Sequence, residues 1–399
     1  MILACLANKI KYDISIMVGR LEIILNSNSG ENDSSLKIKK KEVMKMEERM
    51  KMKPNIVVIV PAHNEESVIE KTIYDLLKQT LPVNIIVVAD NCTDQTVLLV
   101  KKMQESYPTV NLMETVNNMH RKAGAINQAL RTLVGKEIDA VLLMDADTRI
   151  NSEAVKEGWK TLSSNPQLAA VCSIAGTLEY QGYNPWKWLL YTLQKLEYAM
   201  FDSQRVETLD RIKVVHGMAA LHRWTALQQV GFYDEGNLVE DYELTIRYKE
   251  KGWKVTVNLD MRAWTDVPLS LKALWKQRLR WLRGGVDSLC EHGWNKATRG
   301  DILNHFLFVF LTVIQTYLLI LIFIMLSKNI PWEISPWLIG VISLGYLDGL
   351  YRLKYVKNLK GGDLVVRLSL IPEILYGWFQ AVVMLYAYYL SFAKINQNW

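Results

Sequence analysis

Two carboxylates close a short apolar run in the stretch Asp139 to Asp147. Ala140 to Met144 carry no polar side chain, and Asp145 and Asp147 follow directly. An unbroken apolar run of that length suits a strand buried on both faces. Two acids at the end of such a strand are costly unless a cation lies beside them. In open α/β sheets, ligands bind at the carboxyl ends of the strands. Hard divalent ions take oxygen ligands, and Mg²⁺ bridges carboxylates to phosphates. Asp145-Ala146-Asp147 therefore reads as a metal-diphosphate site, with a solvated strand-to-loop turn as the alternative. Other polar groups end apolar runs in the same half of the chain: His63, Asn64 and Glu65 after Asn55–Val60, and Asp90 after Asn84–Ala89. By the strand-end rule all of them converge on one crevice. Convergent acids repel, and Lys122 together with a metal ion would offset that.

The elements that must position these groups alternate. Val68, Ile69, Ile73, Leu76 and Leu77 recur at a helical period. A second helix opens at Thr96, Val110–Met113 makes a short strand, and a third helix follows His120–Ala125 to about Leu133. Strands alternating with helices predict an α/β fold with a doubly wound, mostly parallel sheet. No GxGxxG follows the first strand, which disfavours a dinucleotide site, and no P-loop is present. Further on, the pattern predicts a helix over Asn151–Leu162 and a strand over Leu168–Ile174. Val214–Ala220 reads as a strand interrupted at Gly217, where a backbone or ligand approaches closely. Tyr183–Met200 is rich in Trp and Tyr, which suits a packed helix or an interfacial one. Glu240 and Asp241 enter a helix running to Lys251, where acids also serve as simple caps and the dipole helps keep them ionised. Leu269–Arg283 reads as a basic amphipathic helix on a membrane surface.

The chain has 399 residues, half of them hydrophobic, and a net charge of +6. That mild excess carries no RNP, zinc-finger or basic-zipper pattern, so nucleic acid is not an expected partner. Four widely spaced cysteines, none in a CxxC pair, argue against a disulfide framework or zinc site. No signal peptide is evident. Residues 1–53 combine a polar linker with a lysine- and methionine-rich run, read as a basic, flexible tail. Residues 54–300 form the catalytic unit, and 301–399 a membrane region with about three spans. Those spans are Phe306–Leu326, the weaker Trp332–Tyr351, and Ile374–Ala393. The loop 352–360 carries Arg352, Lys354, Lys357 and Lys360, which places it and residues 54–300 in the cytoplasm and Trp399 outside.

In chain order, Asp90, Asp145-Ala-Asp147, Glu240-Asp241 and Gln277-Arg-Leu-Arg280-Trp281 resemble a family pattern. It is that of processive, membrane-embedded family 2 glycosyltransferases, the group of cellulose, chitin, hyaluronan and poly-N-acetylglucosamine synthases. The resemblance covers roughly residues 55–300. It implies a GT-A fold, a UDP-sugar donor and a growing glycan as acceptor. It implies that Pro61, Ala62 and Glu65 line the base pocket, that Asp90 hydrogen-bonds the base, and that Lys122 lies near the diphosphate. Asp147 would hold Mg²⁺ or Mn²⁺, with Asp145 supporting the nucleotide side. Asp241, with Glu240 beside it, would be the general base of a single inverting displacement. Arg280 would pair with the diphosphate, Trp281 would stack on the acceptor sugar, and Gln277 would hydrogen-bond nearby. Two departures stand out: Asn91 replaces a second acid after Asp90, and His216-Gly217-Met218 replaces an acceptor-side Cys-Gly-Ser/Thr. Rival readings are single transfer to a lipid-linked acceptor, or a non-catalytic, membrane-tethered nucleotide-sugar-binding protein.

Overall fold

The computed structural model describes residues 54–209, 212–328 and 336–395. The expected tail over 1–53 and the expected outside position of Trp399 fall outside the described residues. Four strands with crossover helices build the first half: β1 (Ile56–Ala62), α1 (Ile69–Leu77), β2 (Asn84–Ala89), α2 (Thr96–Ser106), β3 (Val110–Glu114), α3 (Arg121–Leu133) and β4 (Ala140–Met144). All five residues of β4 are buried, as are the first five of β1. Such strands need continuous apolar sequence, because helices cover both faces of the sheet. β1 pairs in parallel with both β2 and β4, and β2 with β3, so their carboxyl ends lie along one edge.

The second half adds β5 (Arg149–Ile150), α4 (Ala154–Ser164), β6 (Leu168–Thr177), α5 (Pro185–Thr208), β7 (Ala219–Arg223), α6 (Trp224–Gln229), α7 (Glu240–Glu250) and β8 (Lys254–Thr265). The eight strands run β3-β2-β1-β4-β7-β6-β8-β5. β7 is antiparallel to both β4 and β6, so the sheet is mixed. Here the expected strand over Val214–Ala220 needs correcting: it starts only at Ala219. The backbone before it is drawn away by polar partners. Val215 N–H donates to Thr245 Oγ1, Gly217 N–H to the Asp241 carboxylate, and the Met218 carbonyl accepts from Asp145 N–H.

Among the described residues, five α-helices follow: α8 (Leu271–His292), α9 (Arg299–Ser327), α10 (Pro336–Arg352), α11 (Gly361–Ser369) and α12 (Ile371–Phe392). Among the described residues, two helices are long and apolar enough to cross a bilayer, Arg299–Met325 and Ile371–Phe392. The middle candidate, Trp332–Tyr351, lies partly outside the described residues, which show its helix over the 17 residues Pro336–Arg352. α9 leaves Phe306, Phe310, Tyr317 and Phe323 exposed. α8 also departs from expectation. Two of its cations turn inward, the Arg278 and Arg283 side chains being only 3% and 6% exposed, while Lys272 and Lys276 stay on the surface. Arg278 pairs with Glu197 of α5 at 2.5 Å. The same Glu197 accepts from Tyr376 and Gln380 of α12.

The end of α10, the loop after it and the start of α11 are fastened to α5 and to Glu179 after β6. Lys195 of α5 pairs with Asp363 at 2.7 Å and donates to the Asn358 carbonyl at 2.8 Å. Glu179 accepts from Lys360, and Arg352 donates to Ser203. Both members of the Lys195–Asp363 pair are buried, so losing one strands the other charge. Lys195→Met is expected to destabilise the protein by about 3 kcal/mol, and the double variant with Asp363→Leu to recover most of the loss. Thermal unfolding followed by tryptophan fluorescence checks both.

Candidate active site

β1 and β2 stop side by side, with Ala62 opposite Ala89. Asp90 N–H donates to the Ala62 carbonyl at 2.8 Å, so Pro61, Ala62 and Asp90 share one wall. Asp90 is buried, and its Oδ1 accepts from Thr115 Oγ1, Asn118 Nδ2 and Asn91 Nδ2 at 2.8, 2.8 and 3.0 Å. Asn91 has a left-handed backbone, φ 49°, which Asn tolerates better than most residues. An acid at position 91 could not make that donation and would set a like charge against Asp90. Asn64, also left-handed, accepts from the Thr93 and Asp94 N–H groups and locks the first two strand-end loops together. Gly124 of α3 has a packing reason: a Cβ there would collide with Asn118 Oδ1 and push away one of the groups that hold Asp90.

The centre is an acid cluster drawn around one ammonium. Lys122, on the first turn of α3, reaches Asp145 at 2.5 Å and Glu240 at 3.0 Å. Burial alone would push Lys122 down, but the Asp145, Glu240 and Asp241 carboxylates hold it well above the usual lysine range. Glu240 is buried too, yet Lys122 and Arg280 hold it below the usual carboxylate range. Asp147 is pushed up to about 6, first by burial and then by the Asp145 carboxylate, although Thr265 Oγ1 donates to it at 3.3 Å. Glu65 is pushed up to about 7 by burial and by Asp147, Asp145 and Asp94. The buried Thr72 of α1 donates to the Ala146 carbonyl at 2.6 Å and pins the turn between the two acids.

Asp241 opens α7. Its carboxylate accepts from Gly217 N–H at 2.9 Å and from its own neighbour Tyr242 N–H at 2.8 Å. The expected helix-dipole effect does not win here. Burial, then the Glu240 carboxylate, push Asp241 up to about 6 against the pull of Lys122. The Gly217 loop lies so close that a Cβ on it would stand 2.9 Å from Lys122 Nζ and 3.6 Å from Asp241 Oδ2. His216 is buried, and its Nε2 lies 2.7 Å from the Ser173 carbonyl, which makes this nitrogen the donor. Burial and then the Arg205 charge push its ring down to about 3, so it stays neutral.

Lys122, Asp145, Asp147, His216, Gly217, Glu240 and Asp241 line a cleft of about 500 Å³ whose far wall is α8, with Gln277, Arg280 and Trp281; Pro61, Ala62, Glu65 and Asp90, expected in the same crevice, are not among its lining residues. Arg280 donates to the Leu238 carbonyl at 3.2 Å. Gln277 accepts from Arg278, whose guanidinium lies 4.3 Å from the centre of the Trp281 ring. Gly284 lets α8 approach Leu238 and Val239 closely enough for this. The cleft continues to Asn304 and His305 of α9 and Met384 of α12. Sequence reasoning missed Thr72, Thr115, Asn118, Thr265 and the α9 residues; uncharged side chains in loops and helices carry no local signal of what they hold.

Among the described residues, Asp145, Asp147, Glu240, Asp241, Asp266 and Asp301 face Lys122, Arg205, Lys213 and Arg280 across the cleft. Acids exceed bases, so the cleft carries a local excess of negative charge. No cluster of three or more metal-type side chains closes among the described residues. Asp147 and Asp145 instead offer the one or two carboxylates that suit a Mg²⁺ or Mn²⁺ shell completed by phosphate and water.

The family described as "Glycosyltransferase like family 2" matches residues 54–284. The poly-beta-1,6-N-acetyl-D-glucosamine synthase of Staphylococcus aureus is 28% identical over 240 residues, 59% of this chain and 55% of that protein. The probable glycosyltransferase YdaM of Bacillus subtilis is 29% identical over 251 residues, 61% and 58% of the two chains. The alignments thus span little more than half of these relatives' length. The mannosyltransferase PcManGT of Pyrobaculum calidifontis, solved with GDP-Man and Mn²⁺, shares the fold with a TM-score of 0.57 at 17% identity. That match covers 87% of this chain and 89% of that one.

The Gly217 contact gives a direct test of the site's geometry. Gly217→Ala is expected to fold normally, since only the flexible end of Lys122 must yield. It is expected to lower catalysis roughly 100-fold, the scale of an ångström of misplacement. Turnover beside a thermal midpoint measures both.

Proposed function

The chain belongs to glycosyltransferase family 2 and is a glycosyltransferase, and on that premise we propose inverting transfer of a hexosyl unit from a UDP-sugar to a glycan hydroxyl at a membrane face. The observation that carries this is Asp241: a buried carboxylate facing the acceptor wall, beside but separate from the groups that would hold a diphosphate. Asp90 accepts from the imide N–H of the base. Lys122 and Arg280 take the diphosphate, whose phosphates replace part of the acid cluster as Lys122's partners. Asp241 accepts the proton of the acceptor hydroxyl. The freed oxygen pair attacks the anomeric carbon while its bond to the diphosphate breaks on the opposite face, and UDP leaves with that electron pair. A base pushed up to about 6 is still ionised at neutral pH and is a better proton acceptor than an ordinary aspartate. Glu240, held ionised by Lys122 and Arg280, positions Lys122 rather than taking the proton. Asp147, with Asp145, would hold a Mg²⁺ or Mn²⁺ that would neutralise charge on the departing diphosphate.

N-acetylglucosamine is the first donor sugar to try, because the S. aureus relative is named as a synthase of its polymer. The reach of the cleft to α9 and α12 also favours a second reading, single transfer to a lipid-linked acceptor. In both readings α9, α10 and α12 cross the bilayer, with α10 returning the chain after α9, so that residues 54–300 and the 352–360 loop share the cytoplasmic side. The contacts of that loop with α5 support a shared side.

Asp241→Asn is expected to keep UDP-sugar affinity but lose transfer by ~100-fold or more. The wild-type rate is expected to fall as pH drops through about 6, where Asp241 takes up a proton. Loss of UDP binding in Asp241→Asn, measured by calorimetry, would overturn its role as base. Asp147→Asn and excess EDTA are each expected to abolish turnover, and full UDP release in EDTA would refute the metal assignment.

A further inference from the structure

A second cavity of about 230 Å³ lies between the end of β6, the middle of α5 and the loop after α10. Tyr191, Tyr198, Trp264 and Tyr355 supply aromatic wall. Trp264 seats itself on Gly176, where a Cβ would stand 2.7 Å from the indole. The charged lining groups are Glu179, Asp202, Lys195 and Lys357, two of each sign. Ala175 and Tyr198 line both this cavity and the active-site cleft, so the two share a wall. Trp264 directly precedes Thr265, whose hydroxyl donates to Asp147.

Lys357 carries the argument. Its Nζ is buried and makes no hydrogen bond among the described residues. It lies 5.4 Å from the centre of the Trp264 ring. Burial pushes this ammonium below the usual lysine range, and the Asp202 carboxylate only partly opposes that. Lys195, by contrast, is committed to Asp363 and the Asn358 carbonyl. A buried ammonium with unused donors is expensive unless a ligand accepts from it. An anion would also meet two carboxylates, and a cation two ammonium groups. A neutral polyhydroxyl ring can accept from Lys357, donate to Glu179 and lie against the aromatic wall without adding charge. The cavity is smaller than drug-sized pockets and of a scale that suits one such ring.

We propose that this cavity is a second carbohydrate subsite, which holds one uncharged pyranosyl unit of a glycan with Lys357 as its donor. The proposal rests on the family 2 reading for the kind of glycan, and it gives the 352–360 loop a part in retaining it. The test uses the full chain in nanodiscs and a β-1,6-linked N-acetylglucosamine tetramer as probe. Lys357→Met is expected to weaken tetramer binding about tenfold, the loss of a hydrogen bond from a charged donor. UDP affinity is expected to stay unchanged and the ligand-free thermal midpoint not to fall, whereas loss of a merely structural lysine would lower it. A diazirine-bearing tetramer is expected to label peptides containing residues 176–179 or 355–358. Wild-type affinity in Lys357→Met, no tetramer binding by the wild type, or label confined to the α8 wall would each overturn the proposal. Failure of the wild type to release UDP from any donor would instead strike the transferase reading, since the binding and labelling arms need no turnover.

Discussion

One ammonium group decides whether this site exists. Lys122 stands between Asp145 at the end of β4 and Glu240 at the start of α7, and it is itself carried by α3. Three elements far apart in sequence meet there, each contributing charge that would be costly to bury alone. The ion pairs let the acids approach closely enough to raise Asp147 and Asp241 without driving the chains apart. The backbone reinforces the arrangement: Met218 accepts from Asp145, and Gly217 donates to Asp241. The loop before β7 therefore joins the phosphate side to the acceptor side. In the proposed reaction, a diphosphate that drew Lys122 toward itself would loosen its hold on Glu240, and donor arrival would be felt at Asp241 through its immediate neighbour.

Much of the first half was legible in the sequence, for a physical reason. A strand covered on both faces tolerates no polar side chain, so Ala140–Met144 and Asn84–Ala89 announce themselves, and the acids that end them are conspicuous. The segment before β7 was misread because its conformation is set by partners 24 to 30 residues away, not by its own composition. Asn118 and Thr115 escaped notice for a related reason: only the folded chain brings them to Asp90. The basic run of α8 illustrates the limits of charge patterning. Arg278 looked like a surface cation, yet its partner Glu197 lies 81 residues earlier and takes it into the interior.

Glu197 sits on α5, yet it also accepts from Tyr376 and Gln380 of α12 and pairs with Arg278, three residues before Trp281. Trp275 adds edge and tilted ring contacts from α8 to Phe379 and Tyr386 of α12. The helix that bears the acceptor wall is thus bolted to an apolar helix along much of its length. With α12 in a bilayer, a hydrocarbon layer thicker or thinner than its apolar stretch tilts it at modest cost. The bolted contacts pass that tilt to α8, and the acceptor wall moves relative to Asp241. On the proposed membrane reading, lipid chain length would set the catalytic gap, and the thickness of the surrounding membrane would be a variable of the enzyme's chemistry.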